Sequence, residues 1–124
     1  MSSIVYDAGA LIAAENGSER VWAIHKRVLE RGVAPVIPAT VLAEVWRDGS
    51  RQHRLGQFVH SCDVEGFSEE SARAAGVLLS VAAHGVVAAS VVECALRLAC
   101  PCVTGDRSHL VNLAGLRQIN IIDI

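Results

Sequence analysis

Three acidic residues stand where their surroundings could make a carboxylate chemically useful. Asp7 closes the apolar run Ile4-Val5-Tyr6, Asp106 follows Pro101-Cys102-Val103-Thr104-Gly105, and Glu44 lies in the apolar stretch opened by Thr40. A carboxylate set directly after a buried strand loses water on one side, and several together repel one another unless a cation neutralises them. Magnesium meets that need: it takes carboxylates, waters and substrate phosphates as ligands and can activate water against a phosphodiester. Aspartate also caps helices, and both Asp7 and Asp106 precede helical patterns, so the bare pattern leaves capping and metal binding open. Neither G-x-x-x-x-G-K-[ST] nor G-x-G-x-x-G occurs, which removes the main support for a nucleotide cofactor, and there is no G-x-S-x-G elbow for a serine hydrolase.

The elements that must position these acids alternate along the chain. Short strand-like runs at 4–7, 33–38, 62–64, 101–104 and 119–124 are separated by helical patterns at 8–15, 19–31, from 40, 51–60, 69–83, 86–99 and 108–116. Ser18 and Ser68 are predicted N-caps, Thr40 is expected to open the helix carrying Glu44, and Gly32 is a helix stop. Val21, Trp22, Ile24, Val28 and Leu29 fall roughly on one side of 19–31, and Ala72, Ala75, Gly76, Leu79 and Val81 supply the apolar positions of 69–83. This alternation predicts a three-layer α/β/α domain with a mostly parallel central sheet and right-handed crossovers. In such sheets chemistry gathers beyond the C-terminal ends of the strands, where Asp7 and Asp106 fall.

With 124 residues, 52% of them hydrophobic, the chain suits one domain spanning 1–124. A formal net charge of -2 provides no global basic field, so nucleic-acid binding would depend on a local patch or on metal ions. Tyr6, Trp22, Trp46, Phe58 and Phe67 are too few and scattered for a base-stacking platform. No long uncharged apolar window and no leader pattern occur, which points to the cytoplasm and away from the membrane. Cys62, Cys94, Cys100 and Cys102 lack zinc-knuckle spacing, and the apolar runs around Cys94 and Cys102 suit buried free thiols.

V-Y-D-A-G-A-L-I-A-A-E at 5–15, P-A-T-V-L-A-E-V-W-R at 38–47 and V-T-G-D at 103–106 together resemble the acidic motifs of PIN domains, specifically VapC-type toxins, over essentially the whole chain. The resemblance implies a PIN-like fold and a magnesium-dependent endoribonuclease, with manganese an acceptable substitute. It further implies structured RNA such as tRNA or rRNA as substrate, a VapB-type antitoxin as partner, and a homodimer. Asp7, Glu44 and Asp106 match the metal-binding catalytic acids; Thr104 matches the hydroxyl residue before the last acid, and Thr40 a small polar residue near the pocket. One departure stands out. Where the family usually has a motif like D-V-V-D-A, this chain reads Gly85-Val86-Val87-Ala88-Ala89, so Ala88 occupies the expected third-acid position.

Neither neighbour is a ready substitute for that acid. Glu93 is five positions on, about 140° around a helix, and His84 lies at or before the helix start with an imidazole poorly suited to magnesium. The loss removes one ligand and about one unit of negative charge, so metal affinity and cleavage should both fall. An alternative is a non-catalytic PIN-fold module that binds an antitoxin or RNA, and a weaker one is a phosphatase-like hydrolase. Arg47, Arg51 and Arg54 could meet RNA phosphates or form a solvated face, while Arg107 and His109 fall closer to the acids. Trp22 and Trp46 fit core or dimer packing better than base stacking. The 69–83 helix could bury itself or face a second subunit or an antitoxin helix.

Overall fold

A computed structural model describes residues 3–82 and 84–124. Five strands, β1 (Val5–Tyr6), β2 (Val36–Pro38), β3 (Asp63–Glu65), β4 (Cys102–Thr104) and β5 (Ile121–Asp123), form one sheet in the order β3-β2-β1-β4-β5. Every pairing is parallel. The three inner strands, Val-Tyr, Val-Ile-Pro and Cys-Val-Thr, are wholly buried, as a sheet covered on both faces requires. The edge strands β3 and β5 are more exposed, and each carries an acid at or near its end.

Seven helices connect the strands: α1 (Ala8–Glu15), α2 (Glu19–Glu30), α3 (Ala39–Val45), α4 (His53–His60), α5 (Glu69–Leu79), α6 (Val86–Leu98) and α7 (Arg107–Ala114). The chain moves from β1 outward to β2 and β3, then crosses back to β4 and β5, so right-handed crossovers put the two sets of helices on opposite faces. Consistent with this, α1 contacts α2 and α4, while α5, α6 and α7 contact one another. The fold is therefore α/β in three layers. The core is centred on Tyr6, Leu11, Ile37, Leu55, Phe58 and Leu110, each essentially inaccessible, and burial of a Leu- or Phe-sized side chain contributes roughly 1.5–3 kcal/mol.

Helix ends follow local chemistry. Ser18 Oγ accepts from Val21 N and Ser68 Oγ from Ser71 N, as their positions predict. Thr40 does not open its helix: α3 starts at Ala39 with Pro38 as the capping residue, and the Thr40 hydroxyl turns to Ser90. The helix expected from 51 starts at His53, because the Gln52 side chain is a hub for the preceding turn. Its oxygen accepts from Arg47 N and Asp48 N, and its amide donates to Glu15 and to Val45 O.

The helix expected over 69–83 ends at Leu79, and Ala83 lies outside the described residues. Its buried face is Ser71, Ala75 and Leu78; Val81 is 78% exposed, so its apolar character does not mark the core. Helix α6 ends on Ala99 in the left-handed conformation, at φ 53°, with no glycine to accept it. Trp46 is 38% exposed and lies over Gly49, so it packs on its own loop rather than in the core. Trp22 is half-buried and donates from Nε1 to Ala14 O. All four cysteines are free thiols, Cys62 half-buried and the rest buried. Burial pushes the Cys62 and Cys94 thiols up to about 12, and Cys102 upward as well, which suppresses thiolate chemistry.

Candidate acidic cleft

Strand order reverses at β1, which has β2 on one side and β4 on the other, and a crevice must open above such a switch point. An open cleft of about 830 Å³ lies there, and Asp7, Glu44, Asp106, Thr40, Thr104 and Ala88 all line it. Asp7 arrives at the end of β1, Asp106 just beyond β4, and Glu44 from α3, which springs directly from β2. Ala88 comes from the opposite wall, the first turn of α6, together with Gly85, Val86 and Val87.

Asp7 combines both roles left open by its position. Its Oδ1 accepts from Ala8 N at 2.7 Å at the start of α1, and its Oδ2 accepts from the Thr104 hydroxyl at 2.7 Å. Thr104 is fully buried, and its oxygen also accepts from Asp106 N at 2.9 Å. Asp106 precedes α7 without a side-chain cap; its Oδ2 lies 2.5 Å from Nδ1 of His109. Glu44 is exposed, with no hydrogen-bond or ion-pair partner among the described residues.

The outer strands carry acids of a different kind. Glu65 on β3 is paired with Arg97, which also holds the buried Glu93 at 2.8 Å. Asp123 on β5 is paired with Arg107 at 2.6 Å, and that guanidinium holds its carboxyl below the usual range. Arginine thus neutralises the edge acids, while no arginine or lysine pairs with Asp7, Glu44 or Asp106 among the described residues. A local excess of negative charge at the centre of the sheet edge attracts cations.

Thr40 meets Ser90 at 2.5 Å. Because Ser90 Oγ donates to Val87 O, the Thr40 hydroxyl is the donor, and this bond ties the acid-bearing α3 to α6 across the cleft. Arg47 folds its guanidinium onto the carbonyls of Ala43 and Trp46, and Arg107 faces Asp123; neither lines the cleft. Arg51 pairs with Asp48, and Arg54 reaches Glu15 O. Glu93 turns to Arg97, away from the cleft, as its angular offset from Ala88 predicts. His84 accepts from Asn112 at its Nε2, and its ring lies 4.6 Å from that of His109 at the rim by α7.

His25 was not singled out by the sequence patterns. It is 2% exposed, accepts from Tyr6 OH at Nδ1, and stacks on Phe58. The available signal was its place between Val21 and Val28 on the apolar side of α2.

The donor set of the cleft consists of hard carboxylate oxygens, which suits magnesium or manganese in kind. Among the described residues no three His, Cys, Asp or Glu side chains converge as a ready-made metal cage. Asp7 and Asp106 have oxygens committed to protein donors, and the α6 wall offers no carboxylate.

No family sequence model and no curated protein matches the chain by sequence. Solved structures do match it. The VapBC2 complex of Rickettsia felis, bound to a promoter DNA fragment, superimposes with a TM-score of 0.72 at 15% identity, covering 98% of each chain. A toxin-antitoxin complex from Klebsiella pneumoniae gives 0.71 at 16% identity, covering 98% of this chain and 100% of that one. DNA-bound VapBC from Salmonella typhimurium gives 0.71 at 17%, covering 99% and 98%. The fold is PIN-like. At these identities the likeness is one of architecture: a five-stranded parallel sheet between two helical layers, over nearly the full length of both chains. No helix among the described residues is long and apolar enough to cross a membrane.

Proposed function

We propose that this chain is the toxin of a VapBC-type module: a magnesium-dependent endoribonuclease of the cytoplasm, acting on structured RNA such as tRNA or rRNA. In this reading a VapB-type antitoxin restrains it, it forms a homodimer, and Ala88 impairs its activity. The observation that carries the reading is the meeting of Asp7, Glu44 and Asp106 in one cleft at the switch point of a fold shared with VapBC complexes.

Asp7, Glu44 and Asp106 would hold the cation. Bound magnesium, or manganese, supplies an activated water and offsets the charge that develops on the phosphate. Thr104 keeps Asp7 in one rotamer and, through Asp106 N, fixes the start of the loop that carries Asp106. The Thr40–Ser90 bond holds the Glu44 helix at a set distance from α6, so the cleft keeps its width. Arg47 and Arg107 lie outside the cleft, where they would meet flanking phosphates rather than the scissile one.

The test is RNA cleavage with magnesium or manganese by the wild type, Ala88→Asp, and Ala88→Asp/Asp7→Ala, purified identically. Cleavage confined to Ala88→Asp supports an acidic site disarmed at one ligand. Cleavage by the wild type that stops with Asp7→Ala retains the nuclease and removes the impairment. The apolar α6 wall at Ala88 favours one second reading, a PIN-fold module that binds an antitoxin or RNA without cutting. If no variant cuts, and partner binding survives chelation unchanged, that reading replaces the first.

A further inference from the structure

The two walls of the cleft differ in a way that bears on the order in which its ligands arrive. On one side are Asp7, Glu44 and Asp106; on the other is the first turn of α6, without an acidic residue and without a side-chain cap on its backbone N–H groups. On the acid wall, Asp7 already accepts at both oxygens and Asp106 at one. Glu44 is the carboxylate with both oxygens open among the described residues.

A hard divalent cation placed against the acid wall thus finds few protein ligands, and none on the α6 side. A phosphodiester entering alone meets three carboxylates with no arginine or lysine paired to them, a repulsive field. Together the two complete each other: phosphate oxygens fill the cation's open positions, and the anion faces the positive end of the α6 dipole. We propose that the cleft takes up a divalent cation and an RNA phosphate as a pair, holding neither well alone. This rests on the nuclease reading above and adds a regulation to it. With Ala88 at the α6 wall, occupancy of the metal position depends on RNA.

Coupling of this kind is reciprocal, so it can be read from either ligand. Manganese binding to the chain alone is followed by loss of the free-ion electron paramagnetic resonance signal, for the wild type and for Ala88→Asp. Binding of a fluorescein-labelled RNA hairpin is followed by anisotropy, in chelator and in calcium, an oxygen-seeking cation used here in place of magnesium. The expected results are manganese affinity roughly tenfold or more weaker for the wild type than for Ala88→Asp, and hairpin affinity roughly tenfold or more tighter in calcium than in chelator. Glu44→Gln should abolish most of the calcium effect.

The proposal is overturned if the wild type alone binds manganese as tightly as Ala88→Asp, or if the hairpin binds equally well in chelator. Circular dichroism checks folding of the variants; if Ala88→Asp does not fold, the calcium comparison on the wild type decides. Cation-dependent hairpin binding without cleavage by any variant would sink the nuclease reading and leave this coupling intact. Cleavage together with tight metal binding by the free chain would do the reverse.

Discussion

Thr104 donates its hydroxyl to Asp7 Oδ2 at 2.7 Å while the same oxygen accepts from Asp106 N at 2.9 Å, so one buried side chain joins the ends of β1 and β4. Two candidate acids from distant parts of the sequence are held in register by a single oxygen. Its shape could be kept by valine, but its hydrogen bonds could not.

Thr104→Val should therefore cost about 1.5–3 kcal/mol, the range for a hydrogen bond to a charged group. Urea unfolding at neutral pH measures the loss. In an Ala88→Asp background the same change should lower any RNA cleavage, and Thr104→Ser should restore most of it, because serine retains the hydroxyl.

Burial lowers the His25 imidazole to about 4. The neutral ring accepts from Tyr6 OH at 2.8 Å and meets Ser61 Oγ at 2.7 Å, while Ser61 donates to Phe58 O. The folded value lies below the ordinary one, so the neutral ring's contribution to stability is complete above about pH 6.5 and is lost as pH falls towards 4. Between pH 7 and pH 5 this should remove about 2 kcal/mol. Denaturant midpoints across that range should show the fall in the wild type, and a markedly flatter profile in His25→Gln.

Ala99 ends α6 at φ 53°, where a Cβ is unfavourable. Ala99→Gly should stabilise the chain by roughly 0.5–1 kcal/mol, after the greater freedom of glycine in the unfolded state is counted. Thermal melts at matched concentration would register the gain as a rise in Tm. An unchanged or lower Tm would mean that the left-handed residue is not strained.

Arg97 joins Glu65 of β3 to the buried Glu93 of α6, and these carboxylates hold its guanidinium firmly protonated. Arg97→Met would leave Glu93 buried without a partner, at a cost of about 2 kcal/mol once the partial exposure of Arg97 is allowed for. Adding Glu93→Gln should recover part of that loss. Additive penalties in urea unfolding would rule out the coupling between them.

The positions of Asp7, Glu44, Asp106 and Ala88 around one cleft were legible because each is tied to an element whose period or apolar run is plain, and a parallel sheet brings its C-terminal ends together. The parallel order itself followed from the inner strands, too apolar for either face to meet water. What escaped was set by tertiary partners. Thr40 resembles an N-cap until Ser90, from α6, claims its hydroxyl. Val81 and Leu79 look as apolar as Leu78, yet only Leu78 points into the core. His25 gave no sign of its bond to Tyr6, since the pairing depends on how α2 lies across β1. The guanidinium groups of Arg47 and Arg107 lie near the acids in sequence but turn to carbonyls and to Asp123.

The hydrogen bond between Thr104 and Asp7 spans 97 residues, and β4 must pair with β1 before it can form. A chain emerging from the ribosome has Asp7 and Glu44 exposed long before β4 exists, so no partial product possesses the cleft. Any hazard this protein poses to the RNA that encodes it is thereby postponed until nearly the whole polypeptide has been made, and a prematurely terminated copy is harmless by geometry.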